Sequence, residues 1–195
     1  MLPIDPLMSE HRLIARVIQL LSEELKTIRE LKRVNLTLLE TVEDFFRNYS
    51  DRCHHGKEEF MLFRRLEKKD LSPEHQKIMA ELVEDHVKSR EWVDSLLSVK
   101  KRYAKGEKGA IREIQQLLQD MTEFAPRHMG KEEKYFLIPV MQYFSEEEKD
   151  ALLREEYDFD RTLIHEKYRV IIDKLEPTQS EESQKSKIIK SGRTS

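Results

Sequence analysis

Four long stretches of this chain carry apolar residues at steps of three and four, and in each of them a histidine falls in the same register. That spacing puts the residues on one stripe of an α-helix, so each stripe has to be buried against the others together with its imidazole. The first stretch opens at Asp5-Pro6, with Asp5 as cap and Pro6 at the first helical position, and its stripe is His11, Ile14, Ile18, Leu21 and Leu25. The second, from Val34 to Lys68, runs Leu39, Val42, Phe46, Cys53, His54, Met61 and Leu62, and Gly56 interrupts it without ending it. Ser72 caps the third and Pro73 opens it; its stripe is Ile78, Met79, Leu82, His86, Val93 and Leu97, closed by a loop from Gly106 to Gly109. The fourth spans Ala110 to Tyr143 with Ile114, Leu117, Met121, Phe124, His128, Glu132, Tyr135 and Phe136 in phase.

Only 5 glycines and 6 prolines punctuate 195 residues, too few for a many-stranded β protein. The fold class expected is therefore all-α, with four long antiparallel helices joined by short loops into a bundle. Ser145-Glu146-Glu147-Glu148 places acids in the first turn of a further helix, and one or two extra helices run to about Leu175. The organisation expected is a helical bundle with a C-terminal helical extension over 1–176, followed by a solvated tail over 177–195. Within that tail, Lys187 to Lys190 is a weak docking candidate, with a plain disordered end the better account.

Thirty-five basic against 38 acidic residues give a net charge of -3, which disfavours a strongly basic nucleic-acid binder or a protein drawn to anionic membranes. The N-terminal residues lack a basic start followed by an apolar run, and no apolar stretch approaches the ~18 residues needed to span a bilayer. Cys53 is the sole cysteine, so no internal disulfide forms, and the expected compartment is a reducing one, the cytoplasm.

The motif that carries chemistry is an internal echo: HHGKEEFMLF from His54 and HMGKEEKYFL from His128. In each copy a histidine precedes a glutamate by four positions, so one helical turn aims a ring nitrogen and a carboxylate at the same patch of space. Two such claws, His54 with Glu58 and His128 with Glu132, converge with His11 and His86 from the other two helices. One buried histidine is accounted for by a hydrogen-bonded partner. Four together with two buried carboxylates are costly without a cation, and a dinuclear metal centre supplies both positive charge and acceptors for the nitrogen lone pairs. Mixed imidazole and carboxylate donors suit iron or manganese better than copper or structural zinc. Six protein ligands cannot fill two octahedra, even when both carboxylates bridge, so positions remain for an oxo or hydroxo bridge and a small exogenous ligand.

The ordered set His11, His54-x-x-x-Glu58, His86, His128-x-x-x-Glu132 resembles the hemerythrin-like, or HHE cation-binding, family over roughly residues 5 to 145. The resemblance implies a non-heme di-iron centre, two iron ions with an oxo or hydroxo bridge, in an up-down-up-down four-helix bundle. Family members carry or sense oxygen, respond to nitric oxide or peroxide, repair iron-sulfur centres or sense iron. The oxygen carriers have a second histidine one turn after the first in the third helix; here that position is Arg90, which cannot ligate and which offers at most a charge to a bound anion. His165 in the C-terminal region is the alternative donor, with a surface or packing role ahead of it. The repair branch carries an added N-terminal cysteine-bearing domain, and this chain begins its bundle almost at once, which lowers that reading.

Neighbouring residues leave choices that helical phase settles at this level. His55 with Glu59 repeats the spacing of His54 with Glu58, yet His54 continues the Val42 and Phe46 stripe and aligns with His128 in the echo. Glu59 and Glu133 are then outer acceptors or solvent-facing residues. Tyr135 packs or donates to a bridging group, His75 is exposed, Cys53 is a small buried hydrophobe, and Trp92, Met61, Met79 and Met121 belong to the core. Three functions compete: a protein that binds or senses O2, NO or peroxide, a di-iron enzyme of catalase, peroxidase or oxidase type, and an iron-responsive interaction protein. The partner expected is a small diatomic or peroxide ligand.

Overall fold

The computed structural model describes residues 2–159 and 164–176, and it is helical with no strand among them. Six helices are present: α1 (Asp5–Leu31), α2 (36–66), α3 (Pro73–Ala104), α4 (110–140), α5 (Glu146–Phe159) and α6 (Ile164–Leu175). The tail expected beyond residue 176 lies outside the described residues. No helix of the described residues is long and apolar enough to cross a membrane.

Local chemistry sets most of the boundaries. Asn35 accepts from the Leu38 N–H to open α2, and Ser72 accepts from the His75 N–H to open α3 with Pro73 behind it. The start of α1 differs from expectation: Ile4 occupies the cap position, and Asp5 is the first helical residue, its carboxylate accepting from the Leu2 N–H at 2.7 Å. Gly106 adopts φ 83° after α3, a left-handed turn that a side chain would strain. Gly56 keeps helical angles, so α2 runs through it.

Two apolar clusters fill the interior. One gathers Leu21 and Ile28 of α1, Leu39 and Phe45 of α2, Leu96 of α3 and Leu118 of α4. The other gathers Leu7, Leu62, Leu66, Leu82, Phe136 and Val140, again from all four helices. The buried stripes of α3 and α4 drift by one position from the sequence reading, with Leu96 and Leu118 fully buried in place of Leu97 and Leu117. Along α1 and α3 the chain passes from the second cluster to the first, and along α2 and α4 it returns. His11, His54, His86 and His128 all fall between the clusters, so the polar layer is sealed by hydrocarbon above and below.

The two helices after the fourth are packed rather than appended. Leu152 of α5 joins the second cluster, and Tyr168 and Ile172 of α6 join the first. The fully buried Tyr168 donates to the Asp44 carboxylate at 2.8 Å, and Arg16 of α1 binds Glu176 at 2.8 Å and also pairs with Asp173.

Candidate metal centre

Two groups of buried donors lie side by side in the polar layer. His11, His54, Glu58 and Glu132 have ligand atoms within 4.8 Å of one another, and so do His55, His86 and His128. The carboxylates connect them. Glu132 sets one oxygen 3.2 Å from His11 Nε2 and the other 3.1 Å from His128 Nε2 and 3.4 Å from His86 Nε2. Glu58 Oε2 stands 3.3 Å from His86 Nε2 and 3.8 Å from His54 Nε2. Each glutamate therefore reaches histidines of both groups.

The Nε2 atoms point inward because the Nδ1 atoms are held from outside. Glu133 binds His11 Nδ1 at 2.9 Å, Glu10 binds His54 at 2.9 Å, Glu59 binds His86 at 2.8 Å and Asp85 binds His128 at 3.3 Å. An acid that accepts from Nδ1–H fixes the tautomer with its lone pair on Nε2, the form a metal needs. Two of these acids are themselves held by lysines: the fully buried Lys57 pairs with Glu10, and Lys131 binds Asp85 at 3.0 Å.

This arrangement explains the whole echo. In each copy of H-x-G-K-E-E the histidine faces the centre, the lysine holds the acid behind it, the first glutamate spans the two donor groups and the second orients a histidine on a facing helix. The acids Glu10 and Asp85 each directly precede a central histidine, His11 and His86, so α1–α2 and α3–α4 form two like halves. Sequence reasoning missed Glu10, Asp85, Lys57 and Lys131. The signal was there in the repeated lysine and in the acid-His pairs.

Phase chose His54 over His55, and the structure brings both to the centre. His55 is buried beside His54 and stacks on His86, with ring centroids 3.9 Å apart and planes 9° apart. The cause is the backbone: Phe46–His55 and Glu58–Phe63 form wide π-helical turns, whose larger circumference brings two consecutive side chains inward where an α-helix admits one. A third wide segment, Glu133–Leu137, follows the second copy of the motif and leaves Tyr135 60% exposed rather than in the core. His75 is half-buried, its Nδ1 2.9 Å from the Tyr143 hydroxyl.

The electrostatics of the metal-free protein favour positive charge at the centre. Burial lowers the pKa of His11, but Glu132, Glu58 and Glu133 more than offset it and push it up to about 9. His128 is likewise pushed up to about 9, burial being outweighed by Glu132 and Asp85. His86 rises well above its ordinary value, against burial, through Glu132, Glu58 and Glu59, while burial and the neighbouring imidazoles hold His55 well below. Both oxygens of Glu58 and Oε2 of Glu132 nevertheless lie buried without a well-formed hydrogen bond. His11 Nε2 and His54 Nε2 also face each other at 3.0 Å. Orphaned carboxylate oxygens and converging nitrogens fit divalent cations better than protons alone.

Residues 2–137 match the hemerythrin HHE cation-binding domain. The chain belongs to that family. Neither a curated protein nor a solved structure matches it significantly. The HHE domain match ends within α4, so α5 and α6 lie beyond it.

The third-helix position after His86 holds Arg90, and the histidine grouped with His86 and His128 is His55, while His165 is grouped with Glu10 and Cys53. His165 sits on α6, partly exposed, with Nδ1 3.0 Å from the Tyr49 hydroxyl and Nε2 3.5 Å from Glu10. It lies behind Glu10, on the side away from the two donor groups. Glu10, Cys53 and His165 form a third cluster of potential donors, but both Glu10 oxygens are engaged by Lys57 and His54, so a cation there has to displace an ammonium.

Proposed function

We propose that this HHE domain is a non-heme di-iron protein that binds or senses a small neutral ligand of the O2, NO or peroxide type. The observation that carries the reading is the pair of buried glutamates, Glu58 and Glu132, each reaching both donor groups. One iron would be held by His11 and His54, the other by His55, His86 and His128, with the two carboxylates shared. Bound iron would supply open positions and one-electron redox chemistry for the ligand. In this reading α1 to α4 form an up-down-up-down four-helix bundle, which the alternating passage of the helices between the two apolar clusters supports.

Beside His54, His55 and His128 lies a cavity of about 30 Å3 walled by Ile14, Phe46, Trp92 and Met121 among others. That is room enough for a small guest. Its apolar wall favours a neutral diatomic over a charged or bulky substrate. Beyond the histidines its polar side chains are Ser50 and Ser89, neither a proton donor of useful pKa, which favours binding over proton-coupled turnover. The protein's own work is to keep Nε2 lone pairs inward, exclude water with two apolar clusters and admit a small guest. A reducing compartment is part of the proposal.

The test is anaerobic purification with iron, a metal count per chain and absorption spectra before and after exposure to O2, NO and H2O2. Two irons per chain and charge-transfer bands perturbed by one of these ligands are expected. A chain without iron, unaltered by replacing His11, His54, His86 and His128 in turn, returns those residues to core packing.

A further inference from the structure

Arg90 of α3 reaches two acids of α2, each of which faces a histidine of the second donor group. Arg90 Nε donates to Asp51 Oδ1 at 2.6 Å, and its terminal NH2 donates to Glu59 Oε1 at 2.6 Å. The same Glu59 oxygen accepts from His86 Nδ1 at 2.8 Å. Asp51 Oδ1 stands 3.6 Å from His55 Nδ1, beyond hydrogen-bond length. The two imidazoles so approached are the pair stacked at 3.9 Å.

We propose that Arg90 is a positioning residue for the metal held by His55, His86 and His128, holding His86 through Glu59 and setting Asp51 opposite His55, the ring stacked on His86. The inference rests on the two-metal reading. Its physical basis is the shape of guanidinium: a rigid planar fork serves two carboxylates at fixed separation, whereas the ammonium groups of Lys57 and Lys131 are point charges. Arg90 thus serves the donor group without being a ligand, by holding the acid that orients His86. Its charge also balances Glu59, so that the acid orients the His86 N–H without an unopposed negative charge behind the ring. Holding His86 matters for His55 as well, because each of the two stacked rings limits the rotation of the other.

The experiment is anaerobic Co2+ titration of the full chain, followed by visible d–d bands, for wild type, R90Q, R90K and R47Q. Arg47 is the control, since it pairs with Glu43 and Asp94 and touches no acid that reaches a central imidazole. Wild type and R47Q are expected to take up two Co2+ per chain with the same bands. In R90Q the first equivalent should bind as in wild type and the second about 10-fold more weakly, with shifted bands, the scale of lost support behind a metal-bound histidine. R90K should fall between, because lysine keeps the charge and loses the span. R90Q with wild-type affinity and bands overturns the proposal. Should R90Q not fold, R90K decides: wild-type affinity and bands there deny the two-acid span. A wild-type chain that takes up two Co2+ while both variants match it removes the role of Arg90 alone; a wild-type chain that takes up fewer than two removes the two-metal reading and this inference with it.

Discussion

At the scale of single residues, the centre is governed by which nitrogen of each imidazole is free. Glu10, Glu59, Asp85 and Glu133 determine that by accepting from Nδ1, and without them the rings would have no fixed tautomer. His55 differs, because its Nδ1 has no hydrogen bond. If it completes the second donor group, His55→Gln should reduce the iron content from two per chain toward one while leaving the helical circular dichroism unchanged; full retention of two irons would assign His55 to packing on His86. The metal-free protein should also show a characteristic pH response. His11 and His128 are pushed up to about 9 in the fold against an ordinary 6.5, so the folded state holds protons that the unfolded chain has released. The stabilisation is complete below pH 6.5 and vanishes as pH rises through about 9. Chelated protein is expected to lose several degrees in melting temperature across that window, and iron-loaded protein, where metal takes the place of the protons, to stay nearly level. A flat profile for the chelated form would mean that those imidazoles are not charged in the fold.

At the scale of elements, each helix end and each wide turn has a local cause with a measurable cost. Asn35 opens α2 by accepting from the Leu38 N–H at 3.1 Å, so Asn35→Ala should destabilise by about 1 kcal/mol in denaturant unfolding. α6 docks through Tyr168, whose hydroxyl reaches Asp44 while its ring packs edge-on to Phe45 at 5.3 Å. Tyr168→Phe keeps the ring and loses the hydrogen bond, at about 1 kcal/mol; Tyr168→Ala opens the first apolar cluster and should cost about 3 kcal/mol or more. Equal effects from the two would show that the hydroxyl, and not the packing, anchors the helix. The wide turns of α2 serve the site more than the core, since they are what brings His54 and His55 inward together.

At the scale of the whole molecule, the polar layer divides what would otherwise be one continuous core. Four helices meet at buried carboxylates whose charge must be balanced, so the free energy of metal binding adds to that of folding. Stripping the metal should lower the melting temperature, by the equivalent of about 4 kcal/mol for metal supplied at a thousand times its dissociation constant, and should speed proteolysis within the layer. Identical melting of iron-loaded and chelated protein would remove any iron-responsive switch. The cavity beside His54, His55 and His128 likewise has a wall to which both halves of the repeat contribute.

The sequence by itself determined the helical class and, to within one position in α3 and α4, the stripes that carry His11, His54, His86 and His128 with Glu58 and Glu132, because helical periodicity depends only on the order of residues. It also contained, unread, the repeated lysine and the acid before each of His11 and His86. Helical phase chose His54 over His55 and put Tyr135 on the core stripe, yet His55 is buried beside His54 and Tyr135 is exposed, because phase presumes a uniform α-helix, while the wide turns at Phe46–His55, Glu58–Phe63 and Glu133–Leu137 change the number of residues per turn. Which acid holds which imidazole, and how Arg90 spans Asp51 and Glu59, was decided by tertiary structure alone. Those contacts join residues distant in the chain, and their geometry follows from how the helices pack.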